Sequence, residues 1–227
     1  MKVKKKNNDC LKKIFVRKLG IQKWEYIYRN MNFFTEIRNA NTVDEIWLVE
    51  HYPIFTIGQT EYINQKKNIN CYNNIPVMPS NRGGKITYHG PGQQIVYFLI
   101  NLKRMNLNIR NFINLIETIV INTLNFFSIQ SISSTIHPGI YIKKKKICSF
   151  GLRIKKNCTL HGLSLNVKMD LRPFNNIEPC GLKNIKMTQI SDFFSDITIQ
   201  NVQNVLISEL SKLIDRKIVL LNHWNYK

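Results

Sequence analysis

Four of the chain's ten glycines fall within residues 82–93, Arg-Gly-Gly-Lys-Ile-Thr-Tyr-His-Gly-Pro-Gly-Gln. Glycine adopts positive φ without strain and lacks the Cβ that would hold another group off the main chain, so the backbone here must pass very close to something. Between the two glycine clusters, Ile86, Thr87 and Tyr88 are β-branched or aromatic, as a strand requires. The plain alternative is a glycine-rich hairpin with no ligand.

The segments around this run alternate in hydrophobic period. Residues 12–17 read as a short strand, and Trp24, Ile27, Tyr28, Met31, Phe34 and Ile37 recur at helical steps as one core-facing side. Residues 45–51 and 54–57 read as two strands interrupted at Pro53, with Gly58 ending the second. Residues 64–74 are mostly polar and predict a surface loop, followed by strands at 76–78, 86–89 and 95–100. The strongest helical signal runs from Ile109 through Phe112, Ile116, Val120 and Leu124 to Phe127. Residues 140–142 and 147–154 predict a hairpin with a lysine run at its turn, and 163–167 a further strand before a loop with Pro173 and Pro179. A last helix, N-capped by Thr198, carries Val202, Leu206, Leu210 and Leu213 inward, and residues 217–221 close as a strand. No repeat or interdomain linker interrupts the 227 residues, 44% of them hydrophobic, so one domain over 1–227 is expected, of class α+β.

A net charge of +19 raises nucleic-acid binding as a function. The lysines are scattered through a background rich in Ile and Asn, however, which has the character of compositional drift rather than of a selected basic stripe; only residues 2–6 and 143–146 form runs. A smaller share of the charge suits encounter with an acidic protein. The five cysteines form no Cys-x-x-Cys pair, so neither a disulfide framework nor a zinc site is indicated, and no metal is expected. No run of about 18 apolar residues occurs, and the basic N-terminus lacks the apolar stretch of a signal peptide, which predicts a cytoplasmic protein that does not engage a membrane.

Two residues are candidates for chemistry. Cys180 stands between Pro179, which fixes one backbone angle, and Gly181, which permits a sharp turn, so its thiol is suited to presentation. Taken alone it reads more readily as a small buried hydrophobe. Lys146 precedes Ile147-Cys148-Ser149 on a predicted strand, and a lysine there supplies the positive charge a reactive thiolate needs. In isolation it reads as part of a solvated hairpin turn.

Together with Trp47-Leu48-Val49-Glu50-His51, the run 82–93, residues 145–165, and Asp170-Leu171-x-Pro173-Phe174 leading to Pro179-Cys180-Gly181, the chain resembles the octanoyl (lipoyl) transferase family from about residue 20 to 190. The resemblance implies a mixed sheet with packed helices, the fold shared with biotin and lipoate protein ligases. It implies an octanoyl-[acyl-carrier-protein]:protein N-octanoyltransferase with no cofactor and no ATP requirement. Cys180 matches the family's acyl-thioester nucleophile and Lys146 the lysine that lowers its pKa. Arg82, Gly83, Gly84, Lys85, Ile86, Thr87, Tyr88 and His89 match one segment lining the acyl and thioester pocket; Ser149, Phe150 and Gly151 match a second, and Gly162, Leu163 and Ser164 a third. The implied partners are octanoyl-acyl carrier protein and apo lipoyl domains, including those of 2-oxoacid dehydrogenase complexes and the glycine cleavage H protein, acted on by a monomer. An ATP-dependent lipoate-protein ligase on the same fold is the nearest alternative, and a non-catalytic nucleic-acid-binding module a more distant one.

Ser164 departs from the family's usual small apolar residue, which bears on acyl chain length. His89 joins the pocket through its motif, whereas His161 reads as structural and His51, His137 and His223 are given no role. Cys148 and Cys158 lie on predicted strands and read as core.

Overall fold

The computed structural model describes residues 11–62, 71–72, 74–177 and 185–221. Strands β1 (Lys13–Gln22) and β2 (Asp44–His51) flank helix α1 (Trp24–Ile37). Next come β3 (Ile54–Ile57), a helical turn at Gln59–Tyr62, β4 (Cys71–Tyr72), β5 (Ile75–Pro79), β6 (Thr87–His89) and β7 (Gln93–Leu99). Helix α2 (Ile109–Phe126) leads to β8 (Ile132–Ser134), β9 (Gly139–Ile142), β10 (Lys145–Lys155) and β11 (Cys158–Asn166). The 3-10 turns Arg172–Asn176 and Ile190–Asp192 precede helix α3 (Ile199–Leu213) and strand β12 (Lys217–Leu221).

Eight strands form one sheet in the order β12-β1-β2-β7-β11-β10-β9-β8, and β4-β5-β3-β6 form a second. The large sheet is mixed: β1 runs parallel to both β12 and β2, and its remaining pairs are antiparallel. This is the expected α+β class. Between β2 and β7, which pair directly, the chain leaves the large sheet and builds the small one. The glycine-rich run is the return limb of that excursion.

Alternation along the central strands explains their continuous apolar character. Ile46 and Leu48 of β2, with Val96 and Phe98 of β7, pack against α2 and α3 through Phe112, Ile116, Val202 and Leu206. The intervening Trp47, Val49, Ile95, Tyr97 and Leu99 face the opposite way, onto Ile27, Met31 and Phe34 of α1. A third cluster of Phe55, Val77, Tyr88, Met169 and Phe174 fastens the small sheet to the 3-10 segment after β11. Helix α2 starts where the Asn108 side chain accepts the Asn111 N–H at 2.8 Å, and α3 where Thr198 and Asn201 cap one another.

Several boundaries differ from the sequence expectation. β1 continues five residues past Arg17 through a register shift between Lys18 and Gly20, and Gly20 takes a φ of +63°. Ile86 precedes β6 rather than opening it, and β11 begins at Cys158 rather than Leu163. β4 lies within the expected 64–74 loop, most of which is outside the described residues. The short edge strand β8 was not expected, having no apolar alternation to mark it. Among the described residues no helix is long and apolar enough to cross a membrane.

Candidate active site

The glycine-rich segment is held against both sheets by its own main chain. Gly83 N–H donates to Leu152 O at 3.1 Å, while the N–H groups of Gly58 and Gln59 donate to Lys85 O and Arg82 O at 3.3 and 2.9 Å. A Cβ on Gly58 would overlap Gly84 O, so the residue directly after β3 must be glycine for the loop to lie there. Arg82 folds back onto β3: its Nη2 donates to Thr56 O at 2.6 Å and to Thr56 Oγ1 at 2.9 Å, and its Nε reaches the same hydroxyl at 3.2 Å.

A cleft of about 530 Å³, counting its open mouth, lies between this loop and the β10/β11 pair on the α1 face of the large sheet. Arg82, Gly84, Lys85, Ile86, Thr87 and His89 line one wall. Ser149, Phe150 and Gly151 line the other with Gly162, Leu163 and Ser164, the two triplets paired residue for residue across the strands. Gly83 and Tyr88, the other two members of the first segment, do not line it. Gly83 contacts β10 through its N–H, and Tyr88 turns into the small-sheet core between Phe55 and Phe174, with ring centroids 5.3 and 5.5 Å away.

Trp24, Ile95, Tyr97 and His161 complete the lining. None of them was singled out for the pocket from sequence. Trp24 and Ile95 follow core periodicities, and His161 was read as structural; its one local signal is a position directly before Gly162, and it takes a φ of +60°. The lining combines apolar and aromatic Trp24, Ile86, Ile95, Tyr97 and Phe150 with the basic Arg82 and Lys85, a mixture suited to an alkyl chain with a polar carbonyl end.

Among the described residues, buried His89 and His161 line the cleft and buried His51 lies behind Tyr97, and none of the three is set to be protonated to the cation near neutrality. Burial holds His51 down to about 4. Its Nδ1 lies 3.0 Å from the carbonyl of Gln22, which only accepts, so Nδ1 carries the hydrogen and Nε2 accepts from Tyr97 OH at 2.8 Å. Burial, then the neighbouring His51 and Arg82, holds His89 down to about 3. His161 is likewise held to about 3 by burial and by Arg82 and Arg153, and its Nε2 meets Asn81 Oδ1 at 2.5 Å.

Lys146 lies on β10, fully buried despite belonging to a run of four lysines. The turn at Lys143 and Lys144 sets the strand phase, so Lys145 is exposed and Lys146 points inward. Its main chain forms a parallel bridge with Met187: Lys146 N–H donates to Lys186 O, and Lys146 O accepts from Thr188 N–H, both at 2.9 Å. Its Nζ stands 5.5 Å from the centre of the Tyr141 ring. Cys180 is outside the described residues. Cys148 and Cys158 are buried, as expected of core residues, and burial pushes both thiols up, which disfavours thiolate chemistry at either.

The architecture is that of a lipoate or biotin protein ligase. A solved lipoate-protein ligase A bound with ATP superposes with a TM-score of 0.71 at 14% identity, covering 94% of this chain and 89% of that one. A biotin protein ligase of Aquifex aeolicus gives 0.51 at 11% identity, covering 88% and 68%. At sequence level the family described as lipoyl protein ligase A/B catalytic domain matches residues 28–211, and the chain belongs to that family. An octanoyltransferase of Buchnera aphidicola subsp. Acyrthosiphon pisum is 58% identical over 209 residues, 92% of this chain and 98% of that protein. One of Aliivibrio fischeri is 45% identical over 212 residues, 90% and 93%. The chain is thus an acyltransferase of the octanoyltransferase kind.

Proposed function

We propose that the chain moves an octanoyl group from acyl carrier protein to a lysine of a lipoyl domain through a thioester on Cys180, with Lys146 as its proton partner. The observation that carries this reading is the burial of Lys146 and its main-chain bridge to residues 186–188, the continuation of the segment that contains Cys180. A fully buried lysine is uncommon and marks a functional candidate. Among the described residues the Cys148 and Cys158 thiols are raised by burial and the buried histidines at and beside the cleft are held neutral, which favours the lysine for acid–base work.

In the first step the Cys180 thiolate attacks the thioester carbonyl, a carbon–sulfur bond forms, and the carrier's thiolate leaves with a proton from the Lys146 ammonium. In the second, the acceptor lysine's neutral amine attacks the acyl-enzyme, the carbon–nitrogen bond forms as the Cys180 thiolate departs, and the amine's proton returns to Lys146. A thioester becomes an amide, a downhill exchange that needs no nucleotide. The apolar and aromatic lining of Trp24, Ile95 and Tyr97 receives the alkyl chain. The chain's +19 charge favours approach of an acidic carrier. Lipoyl domains are favoured as acceptors because an archaeal lipoate protein ligase of Thermoplasma acidophilum, described together with its E2 lipoyl domain, shares the fold with a TM-score of 0.70.

The test is transfer from octanoyl carrier protein to an apo lipoyl domain without ATP. Wild type should turn over and Cys180→Ser should not. Activity in Cys180→Ser that depends on added ATP would instead assign a ligase.

A further inference from the structure

We propose that Asn166, the last residue of β11, is a positioning residue for Lys146; the proposal rests on the reading of Lys146 and Cys180 as the acyl-transfer pair. Asn166 and Gln93 are each 1% exposed, and Thr188 and Lys146 are fully buried. Asn166 Nδ2 donates to Thr188 O at 2.9 Å. That carbonyl only accepts, so the other end of the amide, Oδ1, must face Gln93, whose Nε2 donates to it at 2.9 Å. Gln93 Oε1 is left to accept from His89 Nδ1–H at 2.8 Å, which fixes the histidine tautomer, and His89 Nε2 meets the Thr56 hydroxyl at 3.3 Å. One directed chain of buried hydrogen bonds therefore links the Arg82 wall of the cleft to Thr188.

Thr188 is also the residue whose N–H donates to Lys146 O. Among the described residues, 186–188 meet β10 through an isolated bridge beside the lysine. Asn166 grips it from the other side, while the Thr188 hydroxyl donates to Asp192 Oδ2 at 2.7 Å. Without the Asn166 donation, Thr188 O is left unpaired in the interior, and the segment relieves that by moving, taking the Lys146 peptide with it.

A double-mutant cycle separates this role from general support of the fold. The readout is the rate at which iodoacetamide alkylates Cys180, followed by the mass of its peptide, in full-length wild type, Asn166→Leu, Lys146→Ala and the double variant. Asn166→Leu should slow alkylation at least ~10-fold in the wild-type background and by less than ~2-fold in the Lys146→Ala background. Asn166→Asp keeps the acceptor for Gln93 and loses the donation to Thr188; it carries the test if the leucine variant does not fold. Equal slowing in both backgrounds, or an unchanged rate in a folded Asn166 variant while Lys146→Ala is slow, overturns the positioning role alone. A Lys146→Ala protein that alkylates as fast as wild type overturns the acyl-transfer pair, and the positioning role with it.

Discussion

The side chain of Lys146 occupies the space that Gly139 leaves open: a Cβ on Gly139 would overlap Lys146 Cε and stand 3.1 Å from its Nζ. The two residues sit on adjacent strands, so the smallest residue of β9 shapes the slot for the buried lysine.

Gly139→Ala should therefore displace Lys146 and lower the acyl-transfer rate by about 10-fold or more. Overpacking of this kind costs roughly 1–3 kcal/mol of stability, because Cys148 O also lies 2.8 Å from the added carbon. Gly20→Ala is the comparison. It meets no atom within 4 Å but sits at a φ of +63°, so it should lose about 1 kcal/mol and leave transfer unchanged. Thermal unfolding and transfer rates on both variants check this; equal losses of activity would contradict it.

Replacing Lys146 itself separates charge from shape. Lys146→Ala and Lys146→Met should each slow acylation by about 100-fold or more, the usual scale for loss of a positioned acid–base group. Lys146→Arg retains charge but cannot release a proton, so it should form an alkylatable thiolate without completing turnover. Single-turnover acylation and alkylation rates, measured together, distinguish the three.

Gly151→Val should raise KM for the octanoyl donor more than it lowers kcat. Its Cβ would come within 3.2 Å of Arg82 Cδ, and the branched side chain would narrow the cleft between β10 and the Arg82 wall. Steady-state kinetics with varied donor give the split; an unchanged KM would place the acyl chain elsewhere.

The buried histidines predict the acid behaviour of the fold. Their native pKa values, about 4 for His51 and about 3 for His89 and His161, lie below the unfolded value of about 6.5. The unfolded chain thus binds more protons than the native one below that pH, so stability is fully present above about 6.5 and falls as pH drops toward 4. With three such groups the slope near pH 5 approaches roughly 4 kcal/mol per pH unit. Urea unfolding at pH 7 and pH 5 measures it, and His51→Asn should reduce the slope by about one proton's worth.

Much of the fold was legible because its signals are local. The helical steps from Trp24 to Ile37 and from Ile109 to Phe126, the cap at Thr198 and the alternation in β2 and β7 each follow from neighbouring residues. The glycine run was legible as a close approach, and most of its residues line the cleft. Trp24, Tyr97 and His161 were not legible as pocket residues, since facing a cleft and facing a core produce the same period in one strand or helix. Lys146 needed tertiary information too: four consecutive lysines look alike, and only the two-residue turn before β10 decides which of them points inward. The bond chain from His89 to Thr188 joins four separate segments and leaves no local trace.

The central claim is most directly tested by the intact mass of the protein after mixing with octanoyl carrier protein in the absence of ATP. One octanoyl unit should appear, map to Cys180, and disappear on addition of an apo lipoyl domain as the acceptor's lysine gains it; Cys148→Ser and Cys158→Ser should behave as wild type. An adduct mapped to Cys148, or no adduct while transfer proceeds, would contradict the account.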